Sequence, residues 1–183
     1  MLINREKSCL LLIDVQEKLT PFVLNKERLV KNCHWLLSLA NDLAVDRFVT
    51  EQYPKGLGHT VELLQPLIKN LPVLDKVCFS VMADNACAKH IHSLAKSQMI
   101  VMGIETSVCV LQTVMALLAD KKDVFVVVDA VSGRHEQDGQ LALERMKAAG
   151  AVLVSKEMVF FEWLRTANVD NYKTLSKTYL QGQ

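Results

Sequence analysis

Ile100-Val101-Met102-Gly103-Ile104-Glu105-Thr106-Ser107-Val108-Cys109 is the stretch from which this 183-residue chain is best read. Its first four residues read as a buried strand ending in a glycine. Thr106-Ser107 then reads as a helix N-cap. Val110, Leu111, Val114, Leu117 and Leu118 follow at helical spacing. Cys109 thus falls in the first turn of a helix, at the carboxyl edge of a sheet. Free N–H groups and the positive dipole end there stabilise a thiolate, and the same N–H groups can hold a tetrahedral oxyanion. On spacing alone an inert buried thiol has equal standing, because free cysteines mostly behave as small apolar residues.

Outward from this stretch the same alternation repeats. Short apolar runs, most of them rich in Val and Ile, occupy 9–13, 47–50, 77–79, 99–102, 124–128 and 151–154. Continuous runs of this kind suit parallel strands covered on both faces. Helix-length segments lie between them. Residues 29–43 carry Val30, Cys33, Leu36, Leu37 and Ala40 at helical spacing, and 106–119 and 140–149 behave similarly, the last stopping at Gly150. The pattern predicts an α/β fold of three layers, α-β-α, with a parallel sheet, spanning 1–183 as one domain without repeats or linkers. Ligands of such folds bind outside the carboxyl ends of the strands, where the strand order reverses. The polar residues following each run are then the candidates: Asp14 and Gln16, Glu51 and Gln52, the 103–109 turn, and Asp129, Ser132 and Arg134. Lys76 is placed at the start of the third run.

Composition excludes several functions. Twenty-one basic and 20 acidic residues leave a net charge of +1, so no single-sign field favours nucleic acid or a membrane surface. The early apolar stretch 9–13 is too short for a membrane span or a signal-peptide core, which predicts a soluble, cytoplasmic protein. Five cysteines, at 9, 33, 78, 87 and 109, form an odd set with no CxxC spacing. A zinc ribbon, a thioredoxin-type pair and a disulfide framework are disfavoured. His90 and His92 are two apart on a predicted helix and make a poor metal pair; His34, His59 and His135 are isolated. GxSxG, P-loop and GxGxxG motifs are absent.

Asp14 directly follows the apolar run Leu10-Leu11-Leu12-Ile13. A carboxylate there is costly to desolvate unless paired, and a raised pKa suits a general base for a thiol proton. Lys76 can pair with it. Taken singly, a cap or a structural ion pair explains Asp14 and a solvated surface position explains Lys76. Only in combination with Cys109 do the three point to chemistry.

Several motifs occur together and in order: Leu12-Ile13-Asp14-Val15-Gln16, Asp75-Lys76, Gly103 to Val110, Asp129-Ala130-Val131-Ser132-Gly133-Arg134 and Ala142-Leu143-Glu144-Arg145-Met146. Over about 7–164 the chain resembles the isochorismatase-like (cysteine) hydrolase superfamily. The stretch 51–58 is similar to its isochorismatase-domain-containing subgroup. The resemblance implies a six-stranded, mostly parallel sheet and hydrolysis of amide or ureido C–N bonds in small molecules through a thioester. It makes Cys109 the nucleophile, Asp14 the general base and Lys76 the third member of a triad. It further implies a cis peptide between Ile104 and Glu105, with the N–H groups of Glu105 and Cys109 forming an oxyanion hole. Gln16, Gln52, Tyr53 and Phe79 are the pocket candidates, and Phe160 and Trp163 are further ones, with core packing the alternative for each aromatic. Metal-binding members carry Asp-x-His after the second strand. Residues 50–59 here read Thr-Glu-Gln-Tyr-Pro-Lys-Gly-Leu-Gly-His, so neither a metal nor another cofactor is expected. Members commonly form homo-oligomers, and 169–183 reads as an extra helix available to an interface. Two other classes compete: a binding module that has lost turnover, and a thiol redox protein with Cys78 as the resolving cysteine.

Overall fold

The computed structural model describes residues 1–169 and 171–181. Six strands, β1 (Ser8–Ile13), β2 (Asp46–Gln52), β3 (Val73–Lys76), β4 (Gln98–Ile104), β5 (Asp123–Ser132) and β6 (Val152–Val154), form one sheet. Every pairing is parallel and the order is β3-β2-β1-β4-β5-β6. The central pair, β1 and β4, is buried at every position, which is why their sequences are almost wholly apolar.

Alternate residues of these strands feed two separate cores. Leu10, Leu12, Ile100 and Met102 pack under the helices Lys26–Asp42, Lys156–Leu164 and Tyr172–Leu180. Cys9, Leu11, Ile13, Met99 and Val101 face the opposite way, under the helices Asn85–Ser93, Leu111–Ala119 and Glu136–Ala148. The expected three-layer α/β architecture is therefore present, with a sheet that is wholly parallel. Strand order reverses between β1 and β4, so the crevice for a ligand lies at their carboxyl ends.

Two expectations need correction. The third strand is Val73–Lys76 and not 77–79, so Lys76 ends a strand instead of beginning one. β3 is an edge strand paired only to β2, so it needs no continuous apolar run. Val77 and Phe79, 72% and 53% exposed, belong to the loop beyond it. Thr106 and Ser107 do not cap a helix: 106–110 forms a π-turn entered from Glu105 with no side-chain cap, and the α-helix starts at Leu111. The last helix is Tyr172–Leu180, and its apolar face is already taken. Leu175 and Tyr179 are buried in the chain's own core, and the Tyr179 carbonyl accepts the indole N–H of Trp35 at 2.9 Å. Positions 170, 182 and 183 of the expected C-terminal helix lie outside the described residues.

Candidate active site

Gly103 determines how closely the two central strands approach. It pairs with Ile13 and has φ +121°, and a Cβ at this position would collide with the Ile13 backbone. The end of β1 is thus drawn against the turn that carries Cys109. Asp14 follows immediately in the left-handed region, φ 54°, and its N–H donates to the Thr50 carbonyl at 3.1 Å. Asp14 has no exposed surface.

Three strand ends converge on the Asp14 carboxylate. The Lys76 ammonium donates to Oδ2 at 2.6 Å, and both side chains of this pair are fully buried. The Thr50 hydroxyl donates to Oδ1 at 2.8 Å. Lys76 Nζ also donates to Gln52 Oε1 at 2.7 Å and to the Cys78 carbonyl at 3.3 Å. An ammonium has three hydrogens, and these three acceptors account for them. Phe48, Thr50 and Gln52 alternate along β2, and Phe48 packs in the same core as Cys109. β2 therefore presents Thr50 and Gln52 to the Cys109 side of the sheet. Cys109 itself is nearly buried, and its thiol lies next to Asp14 and Lys76, both of whose charges act on it.

Burial raises the Asp14 carboxyl above its ordinary value, against the opposing pull of Lys76, Cys109 and Thr50. Burial, reinforced by the neighbouring Asp14 charge, pushes the Cys109 thiol up to about 12. The thiolate expected from a helix N-terminus is therefore not the resting state. Two features explain the difference: Cys109 sits within a π-turn ahead of the α-helix, and it is packed into a core. Burial holds Cys9 and Cys87 near the same value. What sets Cys109 apart is its contact with the Asp14–Lys76 pair.

The peptide bond between Ile104 and Glu105 is cis. The Glu105 carboxylate is anchored by Arg134, whose Nε and Nη2 donate to Oε1 at 3.1 and 3.0 Å. The Glu105 carbonyl takes the N–H groups of Val108 and Val110 at 3.0 and 3.2 Å, a ladder that does not draw on the Cys109 N–H.

The remaining candidates separate into three groups. Gln16 is fully buried and its amide is consumed: Nε2 donates to the Gln52 and Gly58 carbonyls at 3.0 and 2.7 Å, and Oε1 accepts the Gln52 N–H at 2.7 Å. It clamps the loop after β2. Gln52 faces Lys76 on one side and donates to the Val77 carbonyl at 2.8 Å on the other. Tyr53, with φ 40° and half its surface exposed, lines a groove of ≈ 330 Å³ with Pro54, Lys55, Asp75, Lys76, Val77 and Asp84. Phe79 lies in the following loop, outside the lining of that groove. Phe160 and Trp163 are far from this edge. Phe160 stacks with Trp35 and Tyr179 in the core, and the Trp163 indole donates to Ser8 Oγ at 3.2 Å, at the opposite end of β1.

Polar residues at other strand ends serve the scaffold. Asp129 Oδ1 accepts the Lys156 N–H at 3.0 Å, and the Ser132 hydroxyl donates to the Leu24 carbonyl at 2.6 Å. Glu51 holds Thr60 through two hydrogen bonds, at 2.7 and 2.8 Å, and pairs with His59 at 2.9 Å. Among the described residues no three His, Cys, Asp or Glu side chains converge as metal ligands. Sequence reading missed Thr50 as a site residue. The signal was available, because a residue two before Gln52 on a strand shares its face.

Comparison with known proteins agrees with the fold. The isochorismatase domain matches residues 8–158. "Isochorismatase family protein 1B" of Dictyostelium discoideum is 35% identical over 176 residues, covering 93% of this chain and 84% of that protein. A solved structure described as MAR1 ribonuclease from Caenorhabditis elegans superposes with a TM-score of 0.92 at 35% identity, covering 100% of this chain and 94% of that one. The YcaC protein of Escherichia coli, described as an octameric hydrolase of unknown specificity, shares the fold with a TM-score of 0.92 at 24% identity, over 99% of this chain and 92% of that one.

Proposed function

The chain belongs to the isochorismatase-like hydrolase family, and from that premise we propose that it is a metal-independent cysteine hydrolase cleaving an amide or ureido C–N bond of a small molecule. One observation carries the reading: the Cys109 thiol lies beside a fully buried Asp14–Lys76 pair. A buried carboxylate with raised proton affinity beside a neutral thiol is a base and its proton donor.

The sequence of steps balances. Asp14 takes the thiol proton as Cys109 Sγ attacks the carbonyl carbon. The N–H groups of Glu105 and Cys109 hold the oxyanion. The tetrahedral intermediate collapses, the C–N bond breaks, and the proton on Asp14 leaves with the amine. Water, deprotonated by Asp14, then attacks the thioester, and Cys109 recovers its proton. Lys76 supplies fixed positive charge, its three hydrogens being committed to Asp14, Gln52 and Cys78. The groove lined by Tyr53 and Lys76 has the size of a small-molecule site, and Lys76 joins it to Asp14 and Gln52.

Acylation by p-nitrophenyl acetate, followed by peptide mass spectrometry, tests the reading. The acetyl group is expected on Cys109, and Cys109→Ala should stay folded, fail to acetylate and lose turnover in a screen of amides and ureido compounds. Turnover retained by Cys109→Ala would refute it.

The ribonuclease name of the C. elegans protein raises RNA as a competing substrate. Against it stands the balanced charge, 21 basic to 20 acidic residues, which offers no phosphate-tracking field. RNA cleavage that disappears in Cys109→Ala would favour that reading over ours. We also propose that the protein is cytosolic and self-associates. Among the described residues no helix is long and apolar enough to cross a membrane. Phe22 and Leu24 in the segment after β1, and separately Val77 and Phe79 in the loop after β3, expose apolar surface that a second copy would cover. Light scattering behind size exclusion reads the assembly directly.

A further inference from the structure

Asp14 has to remain aimed at Cys109 in two states, as a carboxylate before the thiol proton moves and as a carboxylic acid afterwards. Its partners differ in how they meet that requirement. Lys76 has donors only. Once Asp14 is protonated, Lys76 can keep its contact to Oδ2 but cannot accept the new proton. The Thr50 hydroxyl is both donor and acceptor. At 2.8 Å from Oδ1 and with no exposed surface, it has no water to turn to. Its methyl-bearing Cβ sits on a strand locked on both sides, where Thr50 pairs with Ile13 of β1 and Leu74 of β3.

We propose that Thr50 is a positioning residue for Asp14. Its hydroxyl donates to the carboxylate before proton transfer and accepts from the carboxylic acid after it, so that the same contact holds the base in place through both states. The inference rests on the reading of Asp14 as base and Cys109 as nucleophile. No proton is gained or lost at Thr50: the S–H bond breaks, an O–H bond forms on Asp14, and the Thr50 hydroxyl only rotates. The titratable groups facing Asp14 are Lys76 from β3, Cys109 from the turn after β4 and, by its charge coupling, Cys87 from the helix Asn85–Ser93.

Removing the hydroxyl withdraws a charge-assisted hydrogen bond from the carboxylate and only a weaker, neutral one from the carboxylic acid. Its proton affinity therefore rises, and a higher pH is needed to free the base. The test is the pH profile of Cys109 alkylation by iodoacetamide on the full chain, read by peptide mass spectrometry. Thr50→Val should move the acid limb upward by about one pH unit, while Thr50→Ser keeps the wild-type profile. Thr50→Ala gives the same reading if the valine variant fails to fold. A profile unchanged in Thr50→Val or Thr50→Ala overturns the proposal. So does a Thr50→Ser profile that shifts, since that assigns the effect to the methyl group. Loss of this shift, with Cys109 still required for turnover, refutes only the role of Thr50. Turnover without Cys109 refutes the site reading on which it rests.

Discussion

Replacing Lys76 by methionine separates the charge of the pair from its volume. The side chains are close in length, but the variant loses the 2.6 Å contact to Asp14 and the hydrogen bonds to Gln52 and the Cys78 carbonyl. Asp14 is left as a buried carboxylate with only Thr50 and Cys109 beside it. Breaking a buried pair by removing one partner costs about 3–5 kcal/mol. The sign of the pH dependence follows from the direction of the Asp14 shift. Its carboxyl already binds protons more readily in the folded state than in the unfolded chain. Where that holds, stability falls as pH rises through the window from the unfolded to the folded value. Without Lys76 the folded value climbs further and the window extends upward. The deficit of Lys76→Met should therefore be largest at about pH 8, where the wild-type pair is intact. It should shrink towards about pH 4, where the variant folds with Asp14 protonated. Urea unfolding of both proteins at the two pH values measures it. Added salt should change the deficit little, because the pair is fully buried. A deficit equal at both pH values, or larger in acid, would refute the assignment of Asp14 as the group left unpaired.

Two further predictions concern the strand ends. Gly103→Ala places a Cβ against the Ile13 backbone at φ +121°; we expect a loss of at least about 1 kcal/mol in thermal or urea unfolding, and an unchanged midpoint would show that β1 and β4 do not approach as described. Asp14→Asn removes the base while keeping the hydrogen-bonding shape, so steady-state hydrolysis of p-nitrophenyl acetate at neutral pH, which also needs Asp14 to deprotonate water, should fall roughly tenfold or more. With its thiol held near 12 in the wild type, an unchanged rate would mean that Cys109 reacts without help from Asp14.

The central strands were legible because burial on both faces leaves a continuous apolar record, as in Leu10-Leu11-Leu12-Ile13. The edge strand was not. Val73-Leu74-Asp75-Lys76 has one neighbour and half-polar surroundings, so nothing in its sequence marks it more strongly than the loop that follows. The site followed the same division. Asp14 stands at the end of a run that could only be a core strand, and Cys109 at the end of a strand-to-turn signal. Gln16 looked like a pocket residue because polar residues after β1 face the crevice. Only the fold shows that its amide is consumed by the loop after β2. The Cys109 thiol was misjudged for a related reason: a helix-dipole argument is local, whereas the protonation of a buried thiol depends on packing and on a carboxylate from another strand.

Buried ion pairs are poor evidence for stability, since desolvating two charges offsets most of their attraction. The Asp14–Lys76 pair is completely removed from water and lies at the edge of an apolar core containing Ile13, Phe48 and Cys109. An apolar pair of the same volume would fill that space at no electrostatic cost. The fold nevertheless gives Asp14 a left-handed backbone and surrounds Lys76 with three acceptors, from the residue after β1, from β2 and from the loop after β3. The strand holding Gln52 is in turn fixed by Gln16. Polar groups arranged in layers in this way, each completing the bonding of the next, are expected where a charge must be kept in place for use. Beside the pair lies the Cys109 thiol, whose proton Asp14 takes in the proposed reaction.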